Sequence, residues 1–309
     1  MHSHNHDHGH AHNHHHGVDA ATVANSAFVI GIMLNLVYVI GEFIAGFYTN
    51  SVVLLSDAAH NLGDVGGLAL SLLAFRLARL KPSNSYTYGY KKTTILAALA
   101  NAVILLTSVC LLGYESVVRL RHPEPVQGGI IAWVAGAGII VNGVSALLFF
   151  RHKDEELNMK GAYLHLMMDA MVSLCVVAAG VAIHFTGWQW LDPAVSIVVL
   201  GIVTYSTWNL LTGSLKMSMD AVPENIDTDE IETVIRSVKG VEGLHHMHIW
   251  PLSTTETALT AHVILATSLS FEEKMKCVHE IKHELEHHNI HHATIELESA
   301  ELPCHEEDC

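Results

Sequence analysis

The sequence predicts a membrane all-α domain of six transmembrane helices followed by a small cytoplasmic α+β domain of αββαβ order, ferredoxin-like or metallochaperone-like. Three observations predict it. Hydrophobic residues make up 50% of the 309 and charged residues only 15%, at a mean hydropathy of +0.32, whereas a soluble domain carries roughly a quarter charged residues. The deficit lies between Ser26 and Leu211, where apolar stretches of roughly bilayer-spanning length, about 20 residues each, follow one another. From Thr212 onward the chain turns acidic and polar.

Residues 1–16 read MHSHNHDHGHAHNHHH and hold many of the 25 histidines. No core can form from such a tract, so residues 1–25 are expected to be a disordered, metal-binding tail. Interruption by Asn, Asp, Gly and Ala favours a native segment over an expression tag. No basic region precedes Ala27, and the apolar stretch after it is too long for a secretory signal, so it is expected to stay as an anchor.

The spans expected within a membrane domain of residues 26–211 are Ser26 to Tyr48, Ser51 to Ala78, Thr93 to Val118, Val126 to Phe150, Leu157 to Phe185 and Trp190 to Leu211. Asp192-Pro193 opens the last, where proline suits a first turn. The connections are lopsided in charge. Arg76, Arg79, Lys81, Lys91 and Lys92 occupy the second connection and Arg151, Lys153 and Lys160 the fourth region, against Arg119 and Arg121 on the other side. The positive-inside rule then puts both termini and these two basic connections of a multi-pass protein in the cytoplasm.

Residues 212–309 are expected to form the cytoplasmic domain. Asp227-Thr228-Asp229-Glu230 has capping-box spacing and opens a helix to about Val238. Alternating strands Leu244 to Leu252 and Thr257 to Leu265, a helix from Phe271 to about His288 and a strand Ala293 to Glu298 follow. A domain this short gains stability by dimerising, by binding metal, or by both.

Charge and cysteines exclude other classes. With 16 Lys plus Arg against 31 Asp plus Glu, the formal charge of -15 gives no track to neutralise phosphates, so no nucleic-acid partner is expected. Cationic ligands are favoured. Five cysteines, with Cys110 and Cys175 in apolar runs, suggest no disulfide framework.

Two spans carry His-x-x-x-Asp: His60 to Asp64 in the second and His165 to Asp169 in the fifth. Residues i and i+4 share one helix face, about 6 Å apart along the axis, so two facing helices offer two imidazoles and two carboxylates. That tetrahedral N2O2 set suits Zn²⁺. The alternative is that each His satisfies its own Asp as a polar pair within the bundle. Recurrence favours the metal, because an intramembrane Asp costs at least ~2.5 to 3.5 kcal/mol and packing does not demand identical pairs. Protease and ATP-driven motifs are missing from the sequence. Since His and Asp bind metal only when deprotonated, metal entry expels protons, and alternating access at mid-membrane would give proton antiport.

On these residues the sequence resembles the cation diffusion facilitator family, in particular its bacterial zinc exporters related to the mammalian vesicular zinc transporters. Ser56 to Asp64 match its second-helix signature, His165 to Asp169 its fifth-helix signature, and Tyr86 to Tyr90 its loop motif. His245 to Trp250 and His292 to Glu298 match its cytoplasmic domain. The resemblance implies a homodimer exporting Zn²⁺ in exchange for H⁺ through those four ligands, with His at position 60 favouring zinc over cadmium. Relatives with a further metal site between the second and third helices use Asp and His where this chain has Ser83, Tyr86 and Tyr90, so no metal is expected there. The resemblance also pairs Lys92 with Asp220 as an inter-domain charge contact, against a solvated surface pair.

By the same resemblance His245, His262 and Glu298 converge as a cytoplasmic structural or regulatory zinc site. Alternation puts Glu296 on the same face. The tail cysteines Cys304 and Cys309, with His305, either complete the site or stay free thiols. His279, His283 and His287 form a stripe read as a solvated face. Glu42 in the first span is expected to face the cavity and tune or relay protons, the alternative being a hydrogen bond to a neighbouring helix, and Asp57 either to hold the His60 imidazole or to be solvated. Asn101 and Asn142 are expected as interhelical hydrogen bonders. The rival functions are a membrane metalloenzyme and a zinc sensor built on the same ligands.

Overall fold

The computed structural model describes residues 20–150 and 157–298, and their side chains except at 20–32, 68, 148–150 and 157–162. The His-rich residues 1–19, Arg151, Lys153 and the cysteines Cys304 and Cys309 lie outside the described residues. The helices α1 (Ala20–Thr49), α2 (Val52–Ala78), α3 (Thr93–Arg121), α4 (Gly128–Phe150), α5 (Leu157–Thr186) and α6 (Leu191–Ser218) are followed by α7 (Thr228–Ser237), β1 (Val241–Pro251), β2 (Thr257–Leu265), α8 (Phe271–His287) and β3 (Ile290–Glu298). Five of the first six are long and apolar enough over their described residues to cross a bilayer; in α1 the described side chains cover Met33–Thr49. Leu111, Trp133, Ile140 and Tyr205 point outward, as lipid-facing side chains do.

Two helix boundaries differ from the sequence expectation. Helix α1 starts at Ala20, so residues 20–25 are helical and not tail. Helix α6 runs past Leu211 to Ser218, because the residues after the apolar span leave the membrane without breaking the helix. Thr212 and Ser214 bond back to the carbonyls of Trp208 and Leu210. The helix stops only where Asp220 turns left-handed, at φ +60°, ahead of Pro223. The polarity change at Thr212 therefore marks departure from the apolar span, and the helix end lies elsewhere.

The chain divides into two units. In the first, residues 1–49 and 127–187, α4 packs against α1 and α5. Close approach of α4 and α5 depends on small residues: a Cβ on Gly180 would lie 2.6 Å from the Ala132 nitrogen, and one on Gly128 2.5 Å from the Gly180 oxygen. Gly138 likewise leaves room for the Tyr38 hydroxyl.

In the second unit, α2, α3 and α6 pack together and continue into the cytoplasmic domain. Ser51 caps α2 and its hydroxyl bonds Asp192, whose other oxygen accepts the Val52 N–H at 2.8 Å. One carboxylate thus joins the starts of α2 and α6, and Ser196 meets both Ser56 and Ser116, at 2.7 and 2.8 Å.

The cytoplasmic part has the expected αββαβ order around a sheet of order β1-β2-β3, with β1–β2 antiparallel and β2–β3 parallel. Leu259, Ala261, Val263 and Leu265 of β2 join Ile231, Ile235, Ile281 and Leu285 of the helices in one core, which puts His262 on the opposite face. Asp227 caps α7 through the Asp229 and Glu230 N–H groups. The reciprocal capping box occurs at α8, between Ser270 and Glu273. The Ser270 hydroxyl, then its N–H, holds the Glu273 carboxyl below the usual carboxylate range, so this cap persists at neutral pH and is lost only as pH falls through that lowered value.

Two substitutions test the packing. Gly180→Val should drive α4 and α5 apart and cost about 1–3 kcal/mol by overpacking. Asp192→Ala should leave the Ser51 hydroxyl and Val52 N–H buried and unsatisfied, costing about 1–3 kcal/mol. Thermal unfolding in detergent checks both, and an unchanged melting temperature would contradict the assignment concerned.

Candidate metal centres

Two helices each carry one His-x-x-x-Asp pair. On α2, His60 Nε2 lies 3.7 Å from Asp64 Oδ2, both side chains largely buried. Between them sits Gly63, whose missing Cβ makes room for Leu105; a Cβ there would meet the Leu105 Cδ2 at 2.0 Å. Gly67 one turn on does the same for the Asn101 amide. The glycines let α3 lie close against the helix that carries the pair. On α5, His165 Nε2 lies 3.6 Å from Asp169 Oδ2, with Asp169 4% and His165 47% exposed. Each helix therefore presents an imidazole and a carboxylate on one face, one turn apart.

Neighbouring expectations fare differently. Glu42 is fully buried and accepts the Tyr38 hydroxyl at 2.8 Å. Asp57 is 1% exposed, which removes the solvated alternative. Asn142 is fully buried, and neither its amide nitrogen nor its oxygen has a hydrogen-bond partner, so the expected interhelical bond is not formed. Sequence reasoning gave Asp192 only a place at a helix start. Its bond to Ser51, 141 residues away, leaves no local signal beyond an acid ahead of an apolar span.

The second candidate lies on the sheet face away from the core. His245 and His262 are paired across β1 and β2, and His262 and Glu296 across β2 and β3. Glu298 Oε1 is 2.7 Å from His262 Nδ1 and Oε2 is 3.1 Å from His245 Nε2, and one ligand atom of each of the three residues falls within 4.8 Å of the others. Glu296 stands 3.5 Å from His262 Nε2. His245 Nε2 and Glu298 Oε2 are buried atoms whose mutual contact lacks hydrogen-bond geometry, and neither has another hydrogen-bond partner. Two imidazoles and a carboxylate left in this state are suited to a borderline divalent ion. Beside them the His246 ring lies 5.1 Å from each of the other two rings, a contact that sequence periodicity missed.

Other expected features resolve into contacts of ordinary kinds. Ser83 and Tyr86 close a hydrogen-bonded turn, and the Tyr86 and Tyr90 rings meet tilted at 34°, 4.8 Å apart. The His283 and His287 rings meet at 4.8 Å on an exposed face of α8. Lys92 reaches Asp220 at 2.6 Å, Lys91 pairs with Glu256, and the Thr254 N–H donates to Thr94 at 3.1 Å. These contacts join the start of α3 to the end of α6 and to the β1–β2 turn, and the Lys92–Asp220 pair itself is half exposed.

Comparison with known proteins follows the same division. Residues 28–217 match the family model for the cation efflux transmembrane domain, and residues 223–300 that for the cation efflux protein cytoplasmic domain. The chain is 37% identical over 264 residues to a cadmium, cobalt and zinc/H(+)-K(+) antiporter of Bacillus subtilis, covering 85% of each chain. It is 35% identical over 280 residues to the metal cation efflux system protein CzcD of Cupriavidus metallidurans, covering 90% of this chain and 87% of the relative. With the zinc transporter ZitB of Escherichia coli it shares 34% identity over 275 residues, 88% of this chain and 86% of the relative. A solved metal-bound C-terminal domain of the CzcD transporter matches 24% of this chain and 99% of its own at 34% identity, with a TM-score of 0.22. The matched models span nearly all of the described residues, and the chain belongs to the cation efflux, or cation diffusion facilitator, family of multi-pass membrane metal transporters, which are not enzymes.

Proposed function

We propose that the chain exports Zn²⁺ from the cytoplasm in exchange for H⁺, holding the ion within the membrane between His60 and Asp64 of α2 and His165 and Asp169 of α5. The observation that carries this reading is repetition at matching geometry: nitrogen to oxygen separations of 3.7 and 3.6 Å on two helices of spanning length. Those separations are too long for hydrogen bonds. Two ligand atoms that each stand about 2.1 Å from a tetrahedral zinc are themselves about 3.4 Å apart, so either pair reaches an ion with little adjustment. Relatives named for zinc, cadmium and cobalt transport support the choice of cation.

The ligands also supply the coupling. Imidazole and carboxylate bind zinc only when deprotonated, so protons arriving from the outer side expel the ion and are carried inward as the empty site returns. The lopsided basic connections support an inner-membrane orientation with both termini cytoplasmic. Zinc is also proposed at His245, His262 and Glu298, where it would be a structural or regulatory ion. The match to the cytoplasmic domain model, and the small core of that domain, support a homodimer. A hydrolytic function has no support in a family of transporters.

Zinc-65 flux into inside-out vesicles tests the proposal. Uptake should follow an imposed pH gradient, and an unchanged rate after its collapse would exclude proton antiport. Asp64→Asn and Asp169→Asn should each reduce flux to background while the protein still inserts; wild-type flux in either variant would refute the ligand set. The His60→Asp variant, assayed with cadmium beside zinc, should carry relatively more cadmium.

A further inference from the structure

In the cytoplasmic cluster the geometry points to His246 as a metal ligand, which completes with His245, His262 and Glu298 a set of three imidazoles and one carboxylate contributed by a single chain. This rests on the reading of His245, His262 and Glu298 as a metal site and adds a fourth donor to it.

Successive residues of a regular strand face opposite sides of the sheet. With His245 on the ligand face and Leu244 in the core, regular alternation would turn His246 into the core. The chain avoids that. The β1–β2 register slips between His245 and His248, and His246 takes φ +49°, in the left-handed region. Met247 then packs against the core that already contains Leu244 and Ile249. A bulge of this kind places an extra residue in the strand and re-aims its side chain. Here it turns two consecutive imidazoles to one side.

The three rings form a nearly equilateral triangle, with centroid separations of 5.1, 5.1 and 5.4 Å. The Glu298 carboxylate meets two of them. Three nitrogens and one oxygen make a four-coordinate set for zinc or another borderline divalent ion, whereas Ca²⁺ and Mg²⁺ call for oxygen donors. The backbone supports the same conclusion. A left-handed position is disfavoured for residues with a Cβ and is served best by Gly, then by Asn or Asp. Such conformations persist where the surroundings over-determine them, and they cluster at ligand sites. A bulge needed only for its shape would be better filled by glycine. Histidine contributes an imidazole there.

The set is complete without a donor from a second copy or from Cys304 and Cys309. It also spans the sheet, because His245 and His246 lie on β1, His262 on β2 and Glu298 on β3. An ion held by all four would tie the bulge of β1 to both other strands.

The test uses the full-length chain in detergent, titrated with Co²⁺ as a spectroscopic stand-in for Zn²⁺ in competition with a chelator, beside the variants His246→Gly, His246→Asn, His262→Ala and Glu298→Gln. His246→Gly should weaken one Co²⁺ equivalent by at least about tenfold and diminish its tetrahedral visible bands. The metal-free variant should melt at or above the wild-type temperature, since glycine adopts the left-handed backbone freely. His246→Asn, which also tolerates that backbone, should behave alike and serves if glycine loosens the strand. If both variants bind that equivalent within about twofold of wild type while His262→Ala and Glu298→Gln lose it, His246 is not a ligand and the three-residue site stands. If none of the four variants loses an equivalent, the cytoplasmic metal site falls and His246 with it.

Discussion

A carboxylate inside the bilayer needs a partner, and much of the membrane domain can be understood from how each one is supplied. Leaving it bare costs at least ~2.5 to 3.5 kcal/mol. Glu42 accepts the Tyr38 hydroxyl at 2.8 Å, and Asp192 accepts Ser51 and the Val52 N–H. Tyr38 is on the same helix as Glu42, one turn away, whereas Ser51 and Val52 stand at the start of α2 and tie it to Asp192 at the start of α6. Asp64 and Asp169 face a histidine one turn earlier at 3.7 and 3.6 Å, beyond hydrogen-bond reach and near the separation of two ligands on one ion.

The features legible in the sequence were those with a local period. Six spans, the αββαβ order and both His-x-x-x-Asp pairs follow from runs and spacings within one helix or strand. Helix ends were less legible. Polarity changes at Thr212, yet hydroxyls that bond back to their own helix carry α6 to Ser218, since backbone geometry stops at Asp220 and solvent contact begins earlier. Contacts distant in sequence were hidden for another reason. Nothing near Ser51 announces Asp192, and the role of Gly63 as a seat for Leu105 depends on which helix packs there. In the cytoplasmic cluster, the resemblance pointed to His245, His262 and Glu298, while the face taken by His246 stayed hidden, because one inserted residue reverses the parity of a strand.

The contacts at the base of α3 show how the second unit carries its soluble part. Lys92–Asp220 is half exposed on both sides, and an isolated pair of that kind contributes about 0–1 kcal/mol. It does not act in isolation. Lys91–Glu256 and Thr94–Thr254 lie beside it, and α6 passes into the cytoplasmic domain as one helix followed by the short turn at Asp220. Movement of α3 against α6 therefore bears directly on the β1–β2 turn, the end of the strand pair whose other half carries His245 and His262.

That arrangement gives the two faces of the sheet separate tasks. One face is closed by α7 and α8 over aliphatic side chains, so folding of the domain has a source that owes nothing to metal. The other face gathers imidazoles and carboxylates, groups that add little to a fold by themselves and that are already assembled where an ion could be held. An ion bound there at a hundred times its Kd would add about 2.7 kcal/mol to the folded state, a large increment for a domain of this size.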